Sequence, residues 1–203
     1  MPSRSETQQR LIAVVAGAFV TGLALAAITT LLPLYATRNL GLSSAQFARV
    51  LALRMAGITV GVILLGALSD RFGNKRMTIG CLALSGLACG ALGVASRPLF
   101  YVLVPLLSGL LSCAFVYLNY LTQIADPPRQ GRANTRYRAA GAVAAMLAPV
   151  IGARMLGASG WLFAGVGAGL CAGAWALRRY PLDEASAPFV GWRDELAGFR
   201  RLR

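Results

Sequence analysis

Histidine is absent from the 203 residues, and only seven Asp and Glu accompany twenty Lys and Arg, so charged side chains make up just 13% of the chain. The first lack removes the commonest metal ligand and a frequent general base, and with it any Ser/His/Asp or Cys/His arrangement. Cysteine is scarce as well. Cys81, Cys89, Cys113 and Cys171 all fall in apolar runs without zinc-type pairing, and they read as small helix-packing residues. No metal, no cofactor and no enzymatic reaction is expected. With 57% hydrophobic residues and a mean hydropathy of +0.62, there is too little polar surface to coat a soluble globule, so the expected solvent is a lipid bilayer. The net charge of +13 would suggest nucleic acid in a soluble domain. Here the basic residues cluster between apolar runs, which points to membrane topology and away from a nucleic-acid partner.

What is present is a succession of long apolar runs. A bilayer core of about 30 Å needs roughly 20 apolar residues in a helix. Six runs satisfy this, near 11–35, 45–69, 77–95, 98–123, 139–158 and 160–177. The expected organisation is a cytoplasmic N-terminus at 1–10, a six-helix transmembrane bundle at 11–177, and a basic amphipathic tail at 178–203. The first run is longer than the apolar core of a signal peptide and has no small-residue cleavage site followed by a soluble domain. The spans are rich in Gly and Ala. Gly86 with Gly90, Gly165 with Gly169, and Gly169 with Gly173 stand four apart, a spacing that either lets helix backbones approach or merely reflects composition.

With the N-terminus inside, fifteen basic residues fall on the cytoplasmic side, against Arg38, Arg97 and Arg154 outside. Arg129, Arg132, Arg136 and Arg138 are counted there as a loop before the fifth span. The positive-inside rule therefore places both termini in the cytoplasm of a cell whose inner (plasma) membrane holds the chain.

Between the second and third spans stands Gly66-Ala67-Leu68-Ser69-Asp70-Arg71-Phe72-Gly73-Asn74-Lys75-Arg76. Gly66 permits close helix contact at the membrane edge, Gly73 allows a tight turn, and Asp70 suits a helix N-terminus. Arg71, Lys75 and Arg76 alone would be only a topology anchor. Together the stretch resembles the major facilitator superfamily signature G-x-L-x-D-R-x-G-x-[KR]-[KR], matching it at every defined position. Leu32-Pro33-Leu34-Tyr35 with Leu40-Gly41-Leu42-Ser43-Ser44 resembles the end of that family's first helix and its outer loop. Arg129-Gln130-Gly131-Arg132-Ala133 is similar to its basic loop before the fifth helix.

The resemblance covers residues 11 to 203 and implies an all-α fold: two inverted three-helix repeats forming one half of a transporter, facing a second six-helix half. It implies secondary active transport of a small organic solute by alternating access. The outer-loop pattern resembles that of drug and sugar exporters, which suggests efflux. The chain departs from the family in two places. Pro105 stands where proton-coupled members carry an arginine four residues before a glycine, here Gly109. The antiporter pattern of the fifth helix is reduced to Ala148-Pro149-Val150-Ile151-Gly152-Ala153. All seven acids are assigned to the cytoplasmic side, so no mid-membrane carboxylate is expected to carry a proton.

Candidate substrate contacts follow from polar residues in apolar spans. Arg54 lies near the middle of the second span, where a charge costs about 2.5–3.5 kcal/mol on insertion scales. It either contacts an anionic or polar substrate or is structurally paired or snorkelling. Ser108, Ser112, Asn119 and Gln123 share one face of the fourth span, facing either water or a neighbouring helix. Tyr117 adds a contact at the cavity's inner end or belongs to the interfacial belt, and Thr21 and Thr29 lie two turns apart on the first span. Pro105 and Pro149 are candidate bend points. The tail, with Trp192, Leu196 and Phe199 at i, i+4, i+7, resembles the linker between transporter halves. The chain is accordingly expected to be a fragment, a split-gene product or a homodimer. The competing expectation is a non-transporting interaction or regulatory protein built on a half-bundle.

Overall fold

The computed structural model describes residues 4–125, 130–154 and 159–179, and among these every regular element is a helix. Six helices follow in order: α1 (Arg4–Arg38), α2 (Ser44–Phe72), α3 (Asn74–Leu92), α4 (Arg97–Ala125), α5 (Gln130–Arg154) and α6 (Ser159–Arg179). A 29-residue helix such as α2 or α4 is about 44 Å long, so it tilts or projects beyond a 30 Å hydrocarbon core.

The turns are set by local chemistry. Ser43 caps α2 with a reciprocal capping box: the Gln46 amide donates to the Ser43 hydroxyl at 3.3 Å, and the Ser43 amide donates to the Gln46 side-chain oxygen at 2.9 Å. Gly73 alone separates α2 from α3. Its φ of 83° lies where side chains are disfavoured, and its N–H closes α2 on the Ser69 carbonyl at 2.8 Å.

Helix pairing carries the architecture. The most extensive contacts are α3 with α6, α1 with α5 and α2 with α4, followed by α3 with α4, α1 with α6 and α1 with α4. Exchanging α1 with α4, α2 with α5 and α3 with α6 maps this pattern onto itself, as two inverted three-helix repeats require. The helices form a row, α2–α4–α1–α5, backed by α3 and α6. Each major pair crosses where side chains are smallest. Gly57 lies against the Pro105 backbone, and a methyl group at Gly61 would stand 2.8 Å from the Gly109 Cα. On α3 and α6, a methyl at Gly167 would stand 2.5 Å from the Gly86 carbonyl oxygen; on α1 and α5, one at Gly22 would stand 3.1 Å from the Gly141 Cα. Of the glycine pairs singled out by spacing, only Gly86 makes such a contact on its own account. Gly165 and Gly173 face open space, and Gly169 meets only the Val20 side chain.

At the end of the bundle away from the Gly73 turn, Tyr35 joins four helices. Its ring is edge-on to Phe163 at 5.3 Å and tilted against Phe100 at 6.1 Å, and its phenol donates to the Gly93 carbonyl at 3.4 Å. The opposite of a soluble surface lies outside: Met55, Ile63, Leu64, Leu87, Val102, Met146 and Trp161 are all exposed. α2 and α5 are the barest, since each packs mainly on one neighbour.

By length and hydropathy alone, four of the six described helices are able to cross a membrane, at Val14–Arg38, Ser44–Ser69, Arg97–Leu118 and Gly160–Arg179. Of the six expected spans, α3 and α5 do not meet that length-and-hydropathy criterion over their described residues. α3 is only nineteen residues long and opens with Asn74, Lys75 and Arg76, and α5 carries Arg132, Arg136 and Arg138 among alanines and glycines. Their place in the bundle rests on packing, α3 against α6 and α4, and α5 against α1. Boundaries shift too: α3 stops at Leu92, α5 begins at Gln130, and α6 continues through Arg178 and Arg179. The tail and its amphipathic stripe lie outside the described residues.

Candidate functional site

Helical geometry sorts the candidate residues. On α2, Val50, Arg54, Gly57 and Gly61 fall at i, i+4, i+7, i+11 and share the face turned to α4. Val50 is fully buried there and Arg54 half-buried. The Arg54 Nε is enclosed and has no hydrogen-bond partner. A guanidinium nitrogen left unsatisfied in this way costs stability unless something binds it.

The polar face expected on α4 is divided. Ser108 is completely buried, with an Oγ that lacks a partner, so it does not line an open cavity. Ser112 is half-buried. The side chains of Asn119 and Gln123 lie outside the described residues, although α4 runs through both positions. Tyr117 is buried and its phenol donates to the Leu65 carbonyl at 2.6 Å, tying α4 to α2 rather than standing free in a cavity. The two threonines of α1 separate because eight residues advance a helix by about 80° beyond two turns. Thr21 is buried and donates to the Gly17 carbonyl at 2.8 Å. Thr29 is exposed and donates to the Ala26 carbonyl at 2.9 Å and the Leu25 carbonyl at 3.1 Å.

The loop motif is likewise only partly engaged. Gly73 makes the tight turn described above. Arg71 and Arg76 are exposed and Lys75 half-buried. Gly66 faces open space, so the close helix contact expected at that position is not made among the described residues. The side chain of Asp70 lies outside them. Pro105 and Pro149 both sit inside continuous helices, Pro105 at the α2–α4 crossing and Pro149 exposed on α5.

A groove of about 350 Å³ between α1 and α5 opens on the front of the row. From α1 it takes Gly22, Leu25, Ala26 and Thr29, an i, i+3, i+4, i+7 face. α5 contributes the matching face Arg138, Gly141, Ala142 and Ala145. Arg138 was counted with a cytoplasmic loop, but α5 begins eight residues earlier, so this guanidinium belongs to a helix wall. Its signal in the sequence was the shared helical face with three small residues, hidden by the neighbouring basic cluster. Gly22 and Gly141 are level, and the Arg138 Cα stands three residues, about 4–5 Å, nearer the N-terminal end of α5. None of the eight lining residues is acidic.

A family model described as Major Facilitator Superfamily matches residues 14–203. No curated protein matches the chain.

Proposed function

The chain belongs to the major facilitator superfamily, a family of transporters, and on that footing we propose that it carries a small organic solute across the membrane by alternating access as one half of a carrier. The observation that carries this reading is the uncovered front of the row α2–α4–α1–α5. Bare helices α2 and α5 end the row, and the groove between α1 and α5 holds a cationic side chain and a hydroxyl. Such a face suits a second six-helix half closing over a solute site at mid-membrane. Transport then requires that the solute bind the occluded arrangement tightly enough to let the two halves exchange between inward and outward openings.

In this reading Arg54 supplies an electrostatic contact to an anionic or polar substrate, and Ser112, Asn119 and Gln123 contribute polar contacts on α4. Asp70, Arg71, Lys75 and Arg76 form the cytoplasmic gate, with Asp70 facing a helix N-terminus of the other half, an attraction of about 0.3–1 kcal/mol when exposed. Both termini lie in the cytoplasm of an inner (plasma) membrane. Export is the favoured direction because the outer loop resembles that of exporters.

The test is solute flux in proteoliposomes containing the purified chain with and without a co-expressed second half. Flux only when both are present supports the proposal. Robust flux by a monodisperse monomer refutes the half-carrier reading, and no flux in either case favours a non-transporting interaction or regulatory role.

A further inference from the structure

We infer that the α1–α5 groove is an anion subsite in which Arg138 binds the carboxylate of a small amphipathic monoanion whose apolar body lies along Leu25, Ala26, Ala142 and Ala145 towards Thr29. This deepens the carrier reading and rests on it for its physiological role, while the test below reads binding alone. Three observations converge. The groove is large enough for a small solute, standing at the lower end of the range for ligand pockets. Its one charged lining residue is a cation, Arg138, whose planar fork suits a bidentate pair with a carboxylate. No acid on the lining competes for it.

The distribution of polarity along the groove sets the solute's shape. Gly22 to Thr29 spans about 10 Å of helix and Gly141 back to Arg138 about 4–5 Å, so the Cα atoms of Arg138 and Thr29 stand about 15 Å apart along the groove. Between them are only small or aliphatic side chains and helix backbone. The Thr29 hydroxyl already donates to its own helix, so its oxygen presents acceptor lone pairs towards the groove. A six-carbon chain held at Arg138 ends short of that hydroxyl, so the second carboxylate of a diacid would lie among the aliphatic side chains and lose its hydration there. The groove therefore selects a monocarboxylate over a dicarboxylate of the same length.

The experiment measures equilibrium binding of hexanoate, hexanamide and adipate to the full chain in phosphatidylcholine nanodiscs. Hexanoate is expected to bind saturably and at least tenfold more tightly than adipate. Arg138→Ala should weaken hexanoate at least tenfold, the loss of one charge-assisted pair, and leave hexanamide unchanged. Arg138→Lys should restore much of the affinity, and Arg132→Ala, exposed in the first turn of α5, should bind as the parent does. Matching melting temperatures establish that the variants are folded. Absence of saturable hexanoate binding, unchanged affinity in Arg138→Ala, or equal loss in Arg132→Ala overturns the assignment. So does displacement of hexanoate by phosphatidylglycerol through Arg138, which gives the groove to a lipid headgroup. A failed flux assay leaves this result standing, and failure here leaves the flux result standing.

Discussion

Replacing Arg54 with Met separates a charge kept for a ligand from one kept for the fold, because the two reasons give opposite signs of stability. Met is unbranched and flexible, so it fills the space beside Val50 and the Gly57–Pro105 crossing with little repacking. The substitution removes a buried Nε that has no hydrogen-bond partner, recovering about 1–3 kcal/mol of desolvation cost. For a domain of this size each kcal/mol moves the melting temperature by about 2–4 °C. Arg54→Met should therefore melt roughly 2–12 °C higher. The assay is thermal unfolding in mild detergent, read by a thiol-reactive fluorophore that reports exposure of the buried, free Cys81, Cys89 and Cys113. The same variant should lose flux of an anionic substrate at least tenfold. A lower melting temperature would mean that a structural partner holds the charge, and the reasoning would be wrong. A higher melting temperature with undiminished flux would remove Arg54 from the substrate site.

Gly167→Ala places a methyl 2.5 Å from the Gly86 carbonyl oxygen and 3.0 Å from the Gly90 nitrogen. It should destabilise by about 1–3 kcal/mol, whereas Gly165→Ala, which meets open space, should melt within 1–2 °C of the parent, about the resolution of the effect. Equal losses in the two would show that glycine content rather than this crossing matters. Tyr117→Phe removes the hydrogen bond to the Leu65 carbonyl and should cost about 0.5–1.5 kcal/mol with no change in solute affinity; a change in affinity would return Tyr117 to the solute site. Cysteine introduced beside Arg179 should react with a membrane-impermeant maleimide only from the cytoplasmic side, and labelling from outside would invert the topology.

The linear sequence determined the class of this protein because a lipid solvent leaves its mark in one dimension: apolar runs of bilayer length, basic residues gathered between them, and a turn requiring Gly73 in a loop motif. It also made the half-bundle legible, since six runs joined by short connections leave few topologies, and the pairing of α1 with α5 and α2 with α4 agrees with inverted repeats. Which face of each helix looks inward was decided only by tertiary structure. In water a buried face is more apolar than an exposed one and the helical period reveals it. In lipid both are apolar, so Thr21 and Thr29 read alike although one is sealed in the core and the other lines a groove. For the same reason Gly86 and Gly165 look equivalent in sequence, yet only one of them meets a neighbouring helix. Arg138 lies eight residues into α5 and lines the groove although it stands in a basic cluster, because hydropathy marks where a helix enters hydrocarbon rather than where its hydrogen bonding starts.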